Sequence, residues 1–256
     1  MTQSSENYIR KLVEEGSRID KRPFDKFREV QLEKGVIKTA EGSARVRIGN
    51  THVIAGIKMS VGTPFPDTPD EGILIVNTEL SPIASPDFEP GPPSEDSIEI
   101  ARVIDRGIRE SKAIDLGKLC IEPGEKVWIL NVDVHVLDHD GNLIDAGGLA
   151  AIAALLDAKI PKYEDEKVDV KELTDPVPVV DMPIPVTITK IGDRLLLDTN
   201  VEEEDAMDAR ITIASNKDNN LCAMQKSGEG YFTTEELEKA VDLSVEKGKE
   251  LRALLT

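Results

Sequence analysis

Runs of β-forming residues followed by helical segments occur twice in this chain, and this repeated order constrains the fold more than any other sequence feature. The first series has β-rich segments between 28 and 81, a helix over 95–113, an alternating region over 121–137 and a helix over 144–158. The second has strands between 184 and 225 and a helix from 234 to about 254. This order predicts an α+β fold of two similar halves, in each of which helices cover a sheet. The strands expected early in the first half are 36–39, 44–48, 52–61 and 73–80.

Charged segments separate these parts. Residues 4–15 carry apolar side chains at helical spacing and predict a short helix within an N-terminal extension, 1–27. The first part then spans 28–161 and the second 181–256. Between them, 162–180 is acidic and contains proline, so we expect a linker there.

The charge balance excludes some functions. The chain has 256 residues and a net charge of −18. Because phosphate contacts require lysine and arginine, a surface this acidic would bind RNA only through a local basic patch or a partner. No apolar stretch reaches the roughly 18 residues needed to span a membrane, and 1–15 has no signal-peptide core. We therefore expect a cytoplasmic protein with no membrane partner.

One basic feature stands out in the helix predicted from Glu95. Arg102, Arg106 and Arg109 follow at i, i+4 and i+7 and form a stripe opposite the apolar side of the helix. A solvated face is the simpler interpretation. The functional interpretation is contact with an anion or RNA, because three guanidinium groups lie within about two helical turns, or roughly 11 Å.

Two other segments have both a chemical and a structural interpretation. The acidic run 198–208 could hold Mg²⁺ or supply a general acid, although a solvated charged turn is the simpler reading and Arg210 would repel a cation. Asp145-Ala146-Gly147-Gly148 begins a helix and could cradle a phosphate, although glycines there also permit close helix–sheet packing. No nucleophile motif, cofactor motif or metal-ligand spacing is present, so we expect no cofactor and no metal.

The order of segments resembles the RNase PH family over nearly the whole chain. "GSRIDKRPFDKFREV" resembles the family's Arg-x-Asp-Gly-Arg opening, with Lys21 at the glycine position. "GSARVRIGNTHVIAGIKM" resembles its first hairpin, and "PPSEDSIEIARVIDRGIRES" and "LIDAGGLAAIAALLDAKIP" resemble its two long helices. "LLLDTNVEEEDAMDARITIA" resembles the strand and turn that bear the catalytic acid. The resemblance implies the RNase PH fold, with two halves packed into one compact unit, and is greatest to the non-catalytic subunit of the archaeal exosome.

The sequence departs from the family where catalysis takes place. Catalytic members carry two adjacent arginines before the first long helix, a Gly-Ser/Thr-Arg at the second helix start, and two aspartates six residues apart in the acidic turn. An acidic, proline-rich stretch, 63–72, replaces their basic RNA-guiding loop. The resemblance therefore implies that no catalytic residue is left. The matching positions here hold Glu95 and Asp96, then Gly147, Gly148 and Leu149, and finally Glu204 and Arg210.

The resemblance also implies partners. Non-catalytic and catalytic RNase PH-like subunits alternate in a six-membered ring that degrades single-stranded RNA by phosphorolysis and carries RNA-binding cap subunits on one face. The expected role is structural and RNA-binding, with the Arg102–Arg106–Arg109 stripe contacting RNA beside the partner's active site. Two alternatives are open at this point: a phosphorolytic exoribonuclease active in its own right, and a scaffold protein unrelated to RNA.

Overall fold

The first half is built on a six-stranded sheet. The computed structural model describes residues 3–256. The strands run in the order β1-β2-β3-β6-β4, with β5 pairing β6, and only the β4–β6 pairing is parallel. Alternate residues of β2 and β3 are buried, because one face of the sheet packs against helices. The strand bounds are β1 Val30–Lys34, β2 Gly42–Ile48, β3 Thr51–Gly62, β4 Ile73–Leu80, β5 Cys120–Glu122 and β6 Lys126–Asp138.

The segment after the first half is a β hairpin. β7, Lys159–Glu164, pairs antiparallel with β8, Lys167–Pro176. The linker interpretation of 162–180 is therefore wrong as to local structure. β8 is exposed along nearly its whole length, so it lacks the apolar alternation by which a strand is recognised from sequence.

The second half is built on a four-stranded antiparallel sheet in the order β10-β9-β11-β12. All eight residues of its central strand β9 are buried, because a helix covers each face. Helix 143–157 contacts one face, where Asp145 bonds to Thr187, and helix 234–252 contacts the other, where Glu236 pairs with Lys190. The bounds are β9 Ile184–Ile191, β10 Arg194–Leu197, β11 Ala209–Ser215 and β12 Leu221–Ser227. The prediction for β9 is confirmed residue for residue.

Five α-helices complete the described chain. Ser94 caps α2 by accepting a hydrogen bond from the Ser97 N–H, and Thr233 and Glu236 form the expected capping box on α5. Short 3-10 turns occupy 116–119 and 253–255. No helix among residues 3–256 is long and apolar enough to cross a membrane. The bounds are α1 Gln3–Glu14, α2 Glu95–Glu110, α3 Leu143–Asp157, α4 Val201–Asp205 and α5 Thr234–Arg252.

α3 is the centre of the molecule. It is buried from Leu143 to Leu155 and packs against β2 and β3 on one side and β9 on the other. One continuous apolar core therefore includes both sheets, α2, α3 and α5, and a second, smaller core lies beneath α1. This is the predicted α+β architecture of two halves in one compact unit, and the small side chains of α3 are what allow both sheets to approach it.

One early strand was placed wrongly. The expected strand over 36–39 is a turn, and the edge strand of the sheet is instead Val30–Lys34. The hydroxyl of Ser43 accepts a hydrogen bond from the Ile37 N–H at 2.8 Å, which fixes the turn. The β-rich run 36–39 is thus a connection, because the strand that pairs with β2 ends at Lys34 and Gly35 then adopts φ 69°, in the left-handed region.

Candidate functional site

A cavity of about 230 Å³ lies where the two halves meet. The first half contributes the start of α2, the start of α3 and the loop before α2, and the second half contributes α4 and the start of β11. Its charged lining groups are three carboxylates, Asp96, Glu204 and Asp205, and one guanidinium, Arg210. Phe88 and His139 stack at its edge with ring centroids 5.1 Å apart. The cavity is therefore predominantly acidic.

Glu204 is held in the cavity wall by the start of α3. Its Oε1 accepts a hydrogen bond of 2.7 Å from the backbone N–H of Asn142. Asn200 and Glu203 form a capping box at α4 and thereby fix the turn that presents Glu204. Burial raises the pKa of Glu204 to about 7, although Arg210 attracts its charged form. The carboxyl group is thus partly protonated near neutrality.

Arg210 does not supply a free positive charge. Its Nη2 donates to Glu99 Oε2 at 2.8 Å, and Glu99 also accepts a short hydrogen bond from the Ser227 hydroxyl. Nε of Arg210 is buried and has no partner within the described residues. The one guanidinium of the cavity is therefore neutralised and fixed from the side of α2.

The glycines at the start of α3 serve packing. A Cβ on Gly148 would lie 2.3 Å from Cγ of Pro185, and one on Gly147 would lie 3.0 Å from Cδ1 of Ile104. Leu149 is fully buried. The phosphate-cradle hypothesis for this run lacks its geometry, because the glycines face β9 and α2 rather than an open space.

Asp145 connects α3 to the second half. It is fully buried and accepts hydrogen bonds from Thr187, 2.7 Å from the hydroxyl and 3.1 Å from the backbone N–H. The Thr187 hydroxyl lies 2.8 Å from that of Thr212. Burial raises the pKa of Asp145 to about 7, and the hydrogen bonds from Thr187 only partly offset this. Asp145 is a structural contact between the halves.

Glu95 and Asp96 are exposed in the first turn of α2. Their carboxylates are favoured there by the helix dipole. Asp96 also lines the cavity, as Glu204 does. The resemblance matches Glu95 and Asp96 to two RNA-binding arginines of the family. This chain therefore has negative charge at both positions, one of which lines the cavity.

The arginine stripe lies elsewhere on α2. Arg102, Arg106 and Arg109 are all exposed and none lines the cavity. Arg109 is engaged, because it pairs with Asp105 at 2.7 Å and donates to the carbonyl of Leu74 at 3.1 Å. Arg102 and Arg106 have no such partner within residues 3–256. Two of the three predicted contact residues are therefore free to bind a ligand.

Two carboxylates of the acidic run 198–208, Asp198 and Glu203, are buried in ion pairs and not solvated. Asp198 is buried and is bound by Arg22 at 2.5 Å and by Arg28 at 2.8 Å. Arg18 and Glu203 form a second, fully buried pair at 2.5 Å. Burial opposes ionisation of Asp198, but the hydrogen bonds from Arg28 lower its pKa below the ordinary value. Neither the metal or general-acid interpretation nor the solvated-turn interpretation anticipates that Asp198 and Glu203 pair with arginines in the interior.

Sequence reasoning missed this arginine cluster, although a signal was present. Arg18 and Arg22 belong to the Arg-x-Asp-x-Arg opening, and Lys21 has φ 61° in the left-handed region. That conformation explains the glycine found there in the family. No group of three or more His, Cys, Asp or Glu side chains among residues 3–256 is arranged to hold a metal ion.

The fold agrees with the sequence comparisons. Residues 26–161 match domain 1 of the 3' exoribonuclease family, and residues 181–247 match domain 2. The chain belongs to this family, the RNase PH family.

Among curated relatives, the chain is similar to exosome complex component Rrp42 from Pyrococcus abyssi, with 52% identity over 97% of this chain and 92% of the relative. It is 51% identical to the component of the same name from Methanosarcina acetivorans, over 97% of this chain and 92% of that one.

Solved structures give the same result. A chain of the Archaeoglobus fulgidus exosome with RNA bound to the active site superposes with a TM-score of 0.93 and 48% identity, over 99% of this chain and 98% of that one. A chain of an archaeal exosome core gives a TM-score of 0.88 and 45% identity, over 98% and 96%.

Proposed function

We propose that this chain is a non-catalytic subunit of an exosome ring that supports 3'-to-5' phosphorolytic RNA degradation by a catalytic partner of the same family. One observation carries the proposal. The cavity is lined by Asp96, Glu204 and Arg210, which the resemblance matches to active-site positions of the family. It has three carboxylates, and its one guanidinium is held by Glu99. The exosome components to which the chain is similar support the assembly.

The chemistry explains why such a cavity does not support phosphorolysis. Attack of phosphate on a phosphodiester brings two anionic groups together, so catalysis depends on positive charge and hydrogen-bond donors at the site. Loss of one preorganised donor costs roughly 10²- to 10³-fold in rate. Here Glu95 and Asp96 repel phosphate, and the buried Leu149 offers no donor. The reacting groups would be bound by the partner instead.

The proposed contribution of this chain to RNA binding is the exposed pair Arg102 and Arg106. They project from one face of α2 and lack carboxylate partners in the described chain, whereas Arg109 is partly neutralised by Asp105. Guanidinium groups bind phosphate with two parallel hydrogen bonds. In this proposal the stripe lies beside the partner's active site in an alternating hexameric ring, RNA-binding cap subunits cover one face, and the complex acts on single-stranded RNA in the cytoplasm.

A second candidate, phosphorolysis by this chain itself, is favoured by one observation. The resemblance matches Glu204 to one of the two aspartates of the family's acidic turn, and burial brings the pKa of Glu204 to about 7. A carboxyl group that titrates near neutrality is suited to general acid catalysis. The cavity around Glu204 has no free cation among the described residues to hold phosphate, because Arg210 is paired with Glu99. We therefore rank this candidate second.

One assay separates the two. A 3'-labelled single-stranded RNA is incubated with inorganic phosphate and Mg²⁺, together with this chain, the catalytic partner, or the purified complex. We expect nucleoside diphosphates from the complex and none from this chain alone. Release by this chain alone, abolished by Glu204→Gln, would establish the second candidate.

RNA binding by the complex, measured at several salt concentrations, tests the stripe. Arg106→Glu in the complex should weaken RNA binding about tenfold or more, because a phosphate contact is lost. For the same reason, the logarithm of the binding constant should fall less steeply with the logarithm of the salt concentration. Arg194→Glu, which reverses the charge of an exposed arginine on β10, is the matched control and should change binding little. Equal effects of both variants would mean that only net charge matters.

A further inference from the structure

A shallow groove lies between α2 and β12, the outer strand of the second sheet, beside the arginine stripe. Val103 and Arg106 line it from the helix, and Ala223 and Gln225 line it from the strand. Buried residues of the neighbouring strand β11 complete the lining. Because Arg106 is exposed and has no hydrogen-bond or ion-pair partner within residues 3–256, its guanidinium is free at the edge of this groove.

The side chain of Gln225 is on the face of β12 that α2 covers. Ser227, two residues along the same strand, donates a short hydrogen bond to Glu99 of α2, and residues two apart on a strand point to the same face. Thr212, which lies opposite Gln225 on β11, lines the groove as well. Gln225 therefore points into the groove toward α2, and its two neighbours in the sequence point to the opposite face of the sheet.

The contacts at the two ends of the groove give the level of Gln225 along the helix. At one end, Ser227 contacts α2 about one turn before Arg102. At the other end, Ala223 lines the groove together with Arg106. Gln225 is midway between Ser227 and Ala223 on β12. Its amide group therefore lies at the level of the helical turn that separates Arg102 from Arg106.

This amide group has unused hydrogen-bonding capacity. The Nε2 of Gln225 donates only to the backbone carbonyl of Lys226, at 3.4 Å, and the Oε1 accepts no hydrogen bond from the described residues. A glutamine amide offers two donor hydrogens and an acceptor oxygen with two lone pairs. Because the side chain is half-buried and not enclosed, a ligand that occupies the groove can bond to it.

Two carboxylates of α2 that flank the groove are neutralised by arginines. Glu99 is paired with Arg210 at 2.8 Å, and Asp105 is paired with Arg109 at 2.7 Å. These pairs lower the negative potential beside the other two arginines of the stripe. Arg210 thus has a positive role outside the cavity, because it keeps Glu99 from repelling an anion that approaches the groove.

The spacing of the free arginines indicates which part of an RNA strand lies at Gln225. Arg102 and Arg106 are four residues apart on α2, a rise of about 6 Å. One nucleotide of an extended strand spans that interval, so the two guanidinium groups fit consecutive phosphates. Consecutive phosphates are separated by one ribose. The 2'-hydroxyl of this ribose, which both donates and accepts hydrogen bonds, distinguishes RNA from DNA.

We propose that Gln225 contacts the ribose of the nucleotide whose flanking phosphates are bound by Arg102 and Arg106. Its Oε1 accepts a hydrogen bond from the 2'-hydroxyl, and the contact favours RNA over DNA at this position. Gln225 is then a specificity-determining residue on a strand of the second half, next to phosphate-binding residues on a helix of the first half. This inference rests on the proposed RNA-binding role of the stripe.

The test measures binding of fluorescent single-stranded RNA to the purified complex by anisotropy, without inorganic phosphate, so that phosphorolysis does not proceed. A series of RNAs carries one 2'-deoxynucleotide at successive positions. Gln225→Met keeps the length of the side chain and should weaken binding of the unmodified RNA about fivefold, because one hydrogen bond is lost. One deoxy position that weakens binding to the wild type about fivefold should have no further effect on this variant. Gln31→Met, at an exposed position of β1, is the control and should keep the wild-type profile.

Arg106→Glu separates this inference from the proposed function. If Arg106→Glu weakens binding but Gln225→Met has the wild-type deoxy profile, the ribose contact is overturned and the RNA-binding role of the stripe stands. If Arg106→Glu leaves binding unchanged, both are overturned. A second series with one abasic nucleotide at successive positions distinguishes sugar from base. Loss of sensitivity to an abasic position, and to no deoxy position, in Gln225→Met would assign Gln225 to a base and overturn the ribose contact.

Discussion

Two arginine clusters in this chain have opposite surroundings. Arg18 has a side chain that is 0% exposed and is paired with Glu203, which is 1% exposed. Arg102 and Arg106 are exposed on α2 without partners in the described chain. The same side chain thus stabilises the fold in one region and is available to a polyanion in the other. Burial and carboxylate partners, and not the residue type, decide which role an arginine takes.

The first cluster belongs to a set of buried contacts that we call the junction. The junction joins the second half to the N-terminal extension and the first half. Its members are the pair Arg18–Glu203, the pair Arg28–Asp198, the Asp145–Thr187 hydrogen bonds and the Gly148–Pro185 packing contact. If the comparison is sound, changes at the junction should alter stability and changes at the stripe should not.

Arg18→Met should have the largest effect. It leaves Glu203 as an unpaired carboxylate in the interior, which typically costs about 3–5 kcal/mol. Chemical denaturation of the variant and wild type measures the loss. Arg102→Met is the matched control and should change stability by less than about 0.5 kcal/mol. If Arg18→Met and Arg102→Met unfold at the same denaturant concentration, the buried and exposed arginines do not differ in their contribution to stability.

The pH dependence of stability should come next. Because the pKa of Asp145 is about 7 in the folded chain and 3.8 ordinarily, the folded state binds the proton more tightly. This contribution is present at low pH and is lost as pH rises from about 4 to about 7. Each pKa unit corresponds to about 1.4 kcal/mol, so the loss between pH 5 and pH 8 is about 3 kcal/mol.

Asp145→Asn removes the titration and keeps an oxygen acceptor for Thr187. Denaturation curves at pH 5, 7 and 8 should therefore show a smaller loss for the variant than for wild type. Asp198 has the opposite pH dependence. Because its pKa is lowered in the folded chain, the stability that it contributes is lost as pH falls below about 4. Parallel pH profiles of wild type and Asp145→Asn between pH 5 and 8 would refute the assignment.

Gly148→Ala should have the smallest of the three effects. The new Cβ would meet the Pro185 ring at 2.3 Å, and relief of such a contact by a backbone shift typically costs about 1–3 kcal/mol. Gly56→Ala on β3 is the control, because its Cβ would meet nothing closer than Ile37 Cδ1 at 4.0 Å. A Gly148→Ala variant as stable as Gly56→Ala would reopen the phosphate-cradle hypothesis for this helix start.

Regular elements were predictable where local patterns are strong. The strand over 73–80 and the strand over 184–191 were predicted with their observed bounds, and Ser94 and Thr233 cap the helices expected after them. β8 was missed, because nearly all of it is exposed and its sequence has no apolar alternation. Apolar and polar residues alternate along a strand when one of its faces is buried. A strand without a buried face has little such alternation and is therefore difficult to predict.

The sequence alone determined the α+β class, the family, the carboxylates at Glu95 and Asp96, and the arginine spacing on α2. Each of these follows from local order or residue identity. The tertiary structure alone decided that Arg28 binds Asp198, 170 residues away, that Gly148 faces Pro185, and that Glu204 has a pKa near 7. These properties depend on which distant groups become neighbours and on how far water is excluded, and neither is encoded in the spacing of residues along the chain.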